Sequence, residues 1–244
     1  MRLPMSMQNN RLINWLEWDS LFFEKKIGAC LLDAATEINH QLLEEALHAH
    51  YNCVYVWSNA ALNKQPLPAE VKDIFQGVQL TFGLELPDTM HTMPTHETCR
   101  HSAPVPSMYP LAVSAGAWSR FFLDHHFPPE KSVQLYHRWL EASFTGTMGD
   151  TVISIGPPVT PTGLITVKKM EDTLQVGLIS VDSAHRLKGM GSRLLRSAMQ
   201  YAYAHHCKRI TVTTQEQNTG AIAFYTHNHF HLLARRHIAH LWFT

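Results

Sequence analysis

Chemistry concentrates in the stretch VGLISVDSAHRLKGMGSRLLRSAMQYAYAHH, Val176 to His206. An apolar run ends at Asp182 and Ser183. The loop Arg186-Leu187-Lys188-Gly189-Met190-Gly191-Ser192 then leads into a long helical pattern. Two glycines at a loop-to-helix junction let a ligand approach the main chain closely. The first turn of a helix carries N–H groups without intrahelical partners, and the helix dipole favours negative charge there. Arg186, Lys188 and Arg193 add positive charge at the same place. Together these suit a phosphate or pyrophosphate. On the residues alone, Gly189 or Gly191 could instead merely shape a turn. The loop is not a Walker loop, since no Gly-Lys-Ser/Thr follows. It also lacks the third glycine and closing acid of the dinucleotide fingerprint.

A second group of residues follows at Gln217-Asn218-Thr219-Gly220-Ala221-Ile222-Ala223-Phe224-Tyr225. Asn218 suits a helix N-cap. Tyr225 offers a phenol that could donate a proton, although a helical tyrosine usually belongs to a core. His227, His229 and His231 alternate, so on a strand they would share a face. With no cysteine or ordered acid beside them, the histidine-rich segment 225–240 reads as a polar turn and strand rather than a metal site.

The elements that must hold these residues can be read from periodicity. Strands are expected at Ala29–Leu32, Cys53–Trp57, Gln79–Leu86, Thr151–Ile155, Gly163–Lys168, Leu174–Val181, Arg209–Thr214 and His237–Phe243. Helices are expected at Asn39–His50, Leu111–Phe122, Pro129–Phe144, Gly189–His206 and from Thr219. Trp15–Gly28 reads as an aromatic, turn-containing start. Between Pro87 and Pro110, five prolines and no helical or strand period mark a linker. The expected division is an N-terminal α/β half, 1–103, and a second domain, 104–244.

Bulk composition narrows the function. Lys plus Arg equals Asp plus Glu, giving a formal net charge of +0. That argues against general nucleic-acid binding and against attraction to an anionic membrane. The four cysteines, Cys30, Cys53, Cys99 and Cys207, form no CxxC pair, so neither a zinc ribbon nor a disulfide framework is expected. Met1–Asn10 lacks an apolar signal core, and no run is long enough to span a membrane. A cytoplasmic protein is expected. Whether it forms a homodimer is left open.

Arg186-x-x-Gly189-x-Gly191 resembles the pyrophosphate-binding motif of the GNAT acetyltransferases, (Gln/Arg)-x-x-Gly-x-(Gly/Ala), in the same context of strand before and helix after. Asn218-x-x-Ala221-x-x-Phe224-Tyr225 resembles the second half of that coenzyme site. The likeness runs from about Gly163 onward. A narrower likeness, to the TDP-fucosamine acetyltransferases, is carried by LEWDSLFFEKKIG, FFLDHHFPPEKSVQLYHRWLEASFTG and VTTQEQNTGAIAFY. One departure is His229-Phe230, where relatives usually carry Gly-Phe.

The resemblance implies a GNAT fold of class α+β: a central mixed, mostly antiparallel sheet flanked by helices. It implies acetyl-CoA as acyl donor, an amino-sugar nucleotide as partner, no metal, and N-acetylation by direct transfer. Acylation of a protein, peptide or other small-molecule amine is the alternative. The implied cofactor-binding residues are Leu178, Ile179, Ser180 and Val181, whose backbone would take the pantetheine, then Arg186, Leu187, Lys188, Gly189, Met190, Gly191 and Ser192, and Asn218. Amides near Ile179 would polarise the thioester carbonyl. Tyr225 is the implied general acid. His125, His126, Glu141 and Asp124 are candidate bases with no choice among them. Arg120, Tyr136 and Trp139 are candidates for lining the acceptor site.

Overall fold

A computed structural model describes residues 12–32, 38, 40–62, 69–87 and 98–243. The chain forms two compact units. Unit 1 holds residues up to Leu80 together with Ala234–Thr244, and unit 2 holds Thr81–Leu233. The expected boundary at 103/104 follows composition, whereas these units change within two strands, at 80/81 and 233/234. Residues 88–97 of the expected linker lie outside the described residues, as does Met1–Asn10, the stretch read for a signal core.

In unit 1, β1 (Asn14–Trp15) pairs antiparallel with β2 (Ile27–Leu32), and β2 pairs parallel with β3 (Cys53–Ser58). Strand β10 (His231–Phe243), from His237 to Trp242, runs antiparallel to β3, with the start of β4 (Val71–Glu85) on its other side. Helix α2 (His40–His48) buries Leu42, Leu43 and Ala46 against this sheet, in a cluster with Cys30, Val54, Val56 and Leu241. Leu47, on the same helix, is exposed. The Glu45 carboxylate of α2 accepts the N–H groups of Leu12 at 2.9 Å and Ile13 at 3.1 Å, which anchors the approach to β1. The aromatic start contains a helix, α1 (Glu17–Phe23), that its short length hid from periodicity.

In unit 2 the strands run in the order end of β4, β9 (Arg209–Gln215), β8 (Thr173–Val181), β7 (Gly163–Met170), β6 (Thr151–Ile155) and β5 (Thr98–Arg100). Only β8 and β9 are parallel among the registered pairs of this unit; β5–β6, β6–β7 and β7–β8 are antiparallel. The sheet is therefore mixed and mostly antiparallel, as expected. Helix α5 (Pro129–Phe144) has the predicted bounds, with proline in its first turn and a stripe of Ser132, Leu135, Tyr136, Leu140 and Ser143 buried. The predicted Leu111–Phe122 helix is two: α3 (Met108–Gly116) and α4 (Arg120–Leu123), broken where Ser119 turns extended. Gly116, the last residue of α3, has to be glycine because a Cβ there would lie 2.1 Å from the Tyr136 ring.

Helix α6 (Met190–Ala204) follows a short 3-10 turn, Ser183–His185. It packs on the β7 face that carries Gly163: a Cβ on that glycine would sit 3.2 Å from Leu194. Helix α5 lies against the opposite face, which carries Thr166 and Gly177, with Trp139 reaching Gly177. Helix α7 (Thr219–His227) follows β9. Among the described residues no helix is long and apolar enough to cross a membrane.

Candidate active site

Strands β8 and β9 are neighbours for only part of their length. They pair from Thr173↔Arg209 to Val176↔Val212; beyond that β8 runs on to Val181 and β9 to Gln215 with no registered pair. The cause sits at the next residues. On the β7 side the register jumps from Ile165↔Ile179 to Val167↔Val176, so Gly177 and Leu178 face Thr166 alone. Such a bulge bends its strand and strengthens the local twist. The Thr166 hydroxyl accepts the Leu178 N–H at 2.9 Å, so the bulge leaves no buried orphan there. Gly177 is required because a Cβ would come within 2.7 Å of Thr166 Oγ1. Residues 178–181 thus stay paired with β7 on one edge and unpaired with β9 on the other. An unpaired edge with its amides intact accepts an extended ligand as though it were another strand.

Beside the end of β8, the α6 start forms a run of unused amides. Gly189 caps the helix at φ +74, a left-handed conformation that glycine adopts without strain, and Leu187 is also left-handed at φ +61. The first helical bond is Arg193 N–H to the Gly189 carbonyl, 3.0 Å. Among the described residues, the N–H groups of Leu187 through Ser192 have no acceptor. Together with the helix dipole, these amides make an anion site from main chain alone.

The basic side chains are placed otherwise than the sequence suggested. Arg186 Nε donates to the Val181 carbonyl at 3.0 Å, and its Nη2 to Ser114 Oγ of α3 at 3.1 Å. Lys188 Nζ donates to the Ala184 carbonyl at 3.0 Å. Gly191, expected to admit a ligand, is also needed by the fold. A Cβ there would lie 2.9 Å from the Phe224 ring of α7, so its small size fixes how α6 meets α7.

Asn218 is the N-cap of α7: its Oδ1 accepts the Ala221 N–H at 3.1 Å and its Nδ2 donates to Thr214 Oγ1 at 3.2 Å. Tyr225 is buried in the last turn of α7, among Phe82, Phe224 and Phe230. Burial raises its pKa well above the usual phenol value, so the hydroxyl keeps its proton. Its hydroxyl has no hydrogen-bond partner among the described residues. After it, His227 ends α7, His229 takes a left-handed turn at φ +65, and His231 opens β10, so the three histidines share no strand face.

Among the candidate bases, Asp124 is buried, and its Oδ1 binds His126 Nδ1 at 2.9 Å and His126 N–H at 3.1 Å. The His125 ring lies 4.1 Å from that of His126. Glu141 accepts from the Tyr109 hydroxyl at 3.2 Å. Arg120 and Tyr136, proposed to line the acceptor site, are buried in unit 2, with Tyr136 stacked between Phe122 and Trp139. Thr166, Gly177 and Ser114 were not singled out in the sequence. A glycine inside an apolar strand was the available signal for the bulge.

The sequence model of the Acetyltransferase (GNAT) family matches residues 120–230, which contain the parted strands, the amide loop and Tyr225. Over this segment the chain resembles the GNAT acetyltransferases. The dTDP-fucosamine acetyltransferase of Escherichia coli O6:H1 is 27% identical over 123 residues, 50% of this chain and 52% of that protein. The chain thus spans about half the length of the curated relative that it matches. A conserved protein from Staphylococcus epidermidis superposes with a TM-score of 0.63 at 9% identity, covering 98% of this chain and 94% of that one. A GNAT-family protein from Novosphingobium aromaticivorans superposes at 0.52 with 15% identity, covering 79% and 74%. At such identities the likeness is one of fold, and that fold is GNAT.

Proposed function

We propose that the protein transfers an acetyl group from acetyl-CoA to the amino group of a nucleotide-linked amino sugar of the TDP-4-amino-4,6-dideoxygalactose type. The observation that carries the acetyl-CoA reading is the parting of β8 from β9 beside the unpartnered amides of Leu187–Ser192. A pyrophosphate suits the amides, and a pantetheine arm suits the free edge of residues 178–181. Asn218, occupied as a cap, keeps one Nδ2 hydrogen for the arm. The amino-sugar acceptor rests on what the E. coli relative is named for.

The reaction needs both substrates at once. The amine, ordinarily protonated near neutral pH, must first lose a proton to a base. Its lone pair then attacks the thioester carbonyl carbon, and the oxygen gains negative charge that amides near Ile179 stabilise. The carbon–sulfur bond breaks, and the departing thiolate takes a proton from the Tyr225 hydroxyl. Burial suits that role, because a phenol with a raised pKa stays protonated until the thiolate forms. The acetylated nitrogen gives up its remaining extra proton, which returns through solvent to the Tyr225 phenolate and restores the phenol.

The test is thiol release from acetyl-CoA in the presence of TDP-4-amino-4,6-dideoxygalactose, amino sugars lacking the nucleotide, and lysine peptides. Turnover confined to the nucleotide sugar is expected. Turnover with peptides alone would move the acceptor to the alternative class, and failure to bind acetyl-CoA would end the reading.

A further inference from the structure

The first residue of the loop motif is turned away from the amides that follow it. Arg186 spends Nε on the carbonyl that closes β8 and Nη2 on Ser114 in the last turn of α3. Three pieces meet at this guanidinium: the end of the free strand edge, the amide loop and α3. Helix α3 itself packs on β7 and β8, so it is a fixed support. Lys188 is likewise turned back, onto Ala184, within the same loop.

We infer that Arg186 is a positioning residue: it holds the amide loop at a fixed height over the end of β8 by tying it to Ser114, and does not itself contact the phosphates. This rests on the proposed coenzyme site. The physical case is geometric. A planar guanidinium with donors in fixed directions makes a rigid brace between two acceptors. The loop needs one, because Leu187 and Gly189 are both left-handed and its amides make no bonds that would hold it. A loop that must be ordered when ligand arrives loses affinity in proportion to the ordering cost.

The experiment is a double-mutant cycle on coenzyme A binding, read by calorimetry, with Ser114→Ala, Arg186→Met and the pair. Ser114→Ala changes no charge and removes only the anchor. Loss of one hydrogen bond predicts about a 2- to 10-fold rise in Kd for Ser114→Ala, with unchanged thermal unfolding. The pair should be no worse than Arg186→Met, because both remove one brace. Ser114→Thr, which keeps a hydroxyl, should restore affinity. The Arg186→Met loss should persist at 1 M salt, where exposed charges are screened beyond about 3 Å. Unaltered binding by Ser114→Ala, with an Arg186→Met loss that vanishes in high salt, would make Arg186 a phosphate ligand and overturn the inference alone. No coenzyme A binding by the unaltered protein would overturn the coenzyme site and this inference together.

Discussion

Replacing Gly177 with alanine tests whether the bulge makes the coenzyme site. The new Cβ would stand 2.7 Å from Thr166 Oγ1 and 3.4 Å from Trp139 Nε1. Thr166 is fully buried, so its side chain has no solvent side to retreat to. It can move only by releasing the Leu178 N–H that it holds at 2.9 Å. Overpacking a core by one methyl costs about 1–3 kcal/mol, and a buried N–H left unpaired about the same again. The total of roughly 2–6 kcal/mol should lower Tm by on the order of 4–24 °C for a chain of this size. A cheaper escape exists: β8 can expel the bulge and slide on β7. A one-residue slip turns every side chain from 178 to 181 to the other face and destroys the free edge. Either path predicts a rise in Kd for coenzyme A of at least about tenfold, measured by calorimetry on protein shown to be folded by circular dichroism. Thr166→Ser, which keeps the hydroxyl and loses only a methyl, should retain binding. A folded Gly177→Ala variant with unchanged affinity would refute the link between bulge and site.

Tyr225→Phe removes a hydroxyl with no protein partner among the described residues, so Tm should hold while kcat falls by ~10²–10⁴; equal turnover would dismiss Tyr225 as the acid. Because burial raises the Tyr225 pKa, the phenol is neutral below the ordinary value of about 10 and its burial begins to cost stability only above it. An alkaline limb in kcat from this group should therefore appear only above about pH 10, and a Tyr225-dependent limb near pH 8 would contradict the burial argument. His229→Gly should raise Tm by about 1–4 °C. The left-handed φ of +65 costs a histidine roughly 1–2 kcal/mol, partly offset by glycine's larger freedom when unfolded. A lowered Tm would mean that the histidine ring makes a contact worth more. Cys30, whose thiol is pushed up to about 11 by burial and by Glu45, should resist alkylation at neutral pH while half-exposed Cys99 reacts; mass spectrometry of the labelled peptides decides it.

Local features were legible where local energetics decide them. Proline at the first turn and an apolar stripe gave α5 its bounds, and the glycine-bearing loop between an apolar run and a helical one marked the start of α6. The bulge was harder, since Gly177 shows its reason only beside Thr166, which arrives from another strand. Arg186 and Lys188 read as phosphate ligands because a sequence shows charge but not direction; their acceptors are carbonyls and a serine on α3. Gly116 and Gly191 each make room for a ring on another helix, which spacing does not reveal. The split of the chain into units was hidden for a similar reason. Prolines mark where a chain bends, while units are set by strand pairings such as His237↔Ser58, made across most of the sequence.

That last pairing has a consequence for synthesis. Unit 1 needs residues 234–243, which lie between β3 and β4, yet they leave the ribosome after all of unit 2. Until then the facing edges of β3 and β4 stay open, and open edges invite pairing with other chains. At 5–20 residues per second, residues 81–233 take on the order of ten to thirty seconds to make. For that interval the nascent chain carries a finished or forming unit 2 and an unclosed unit 1. Holdase chaperones should engage stalled chains that end near 233 far more than chains extended by the closing strand.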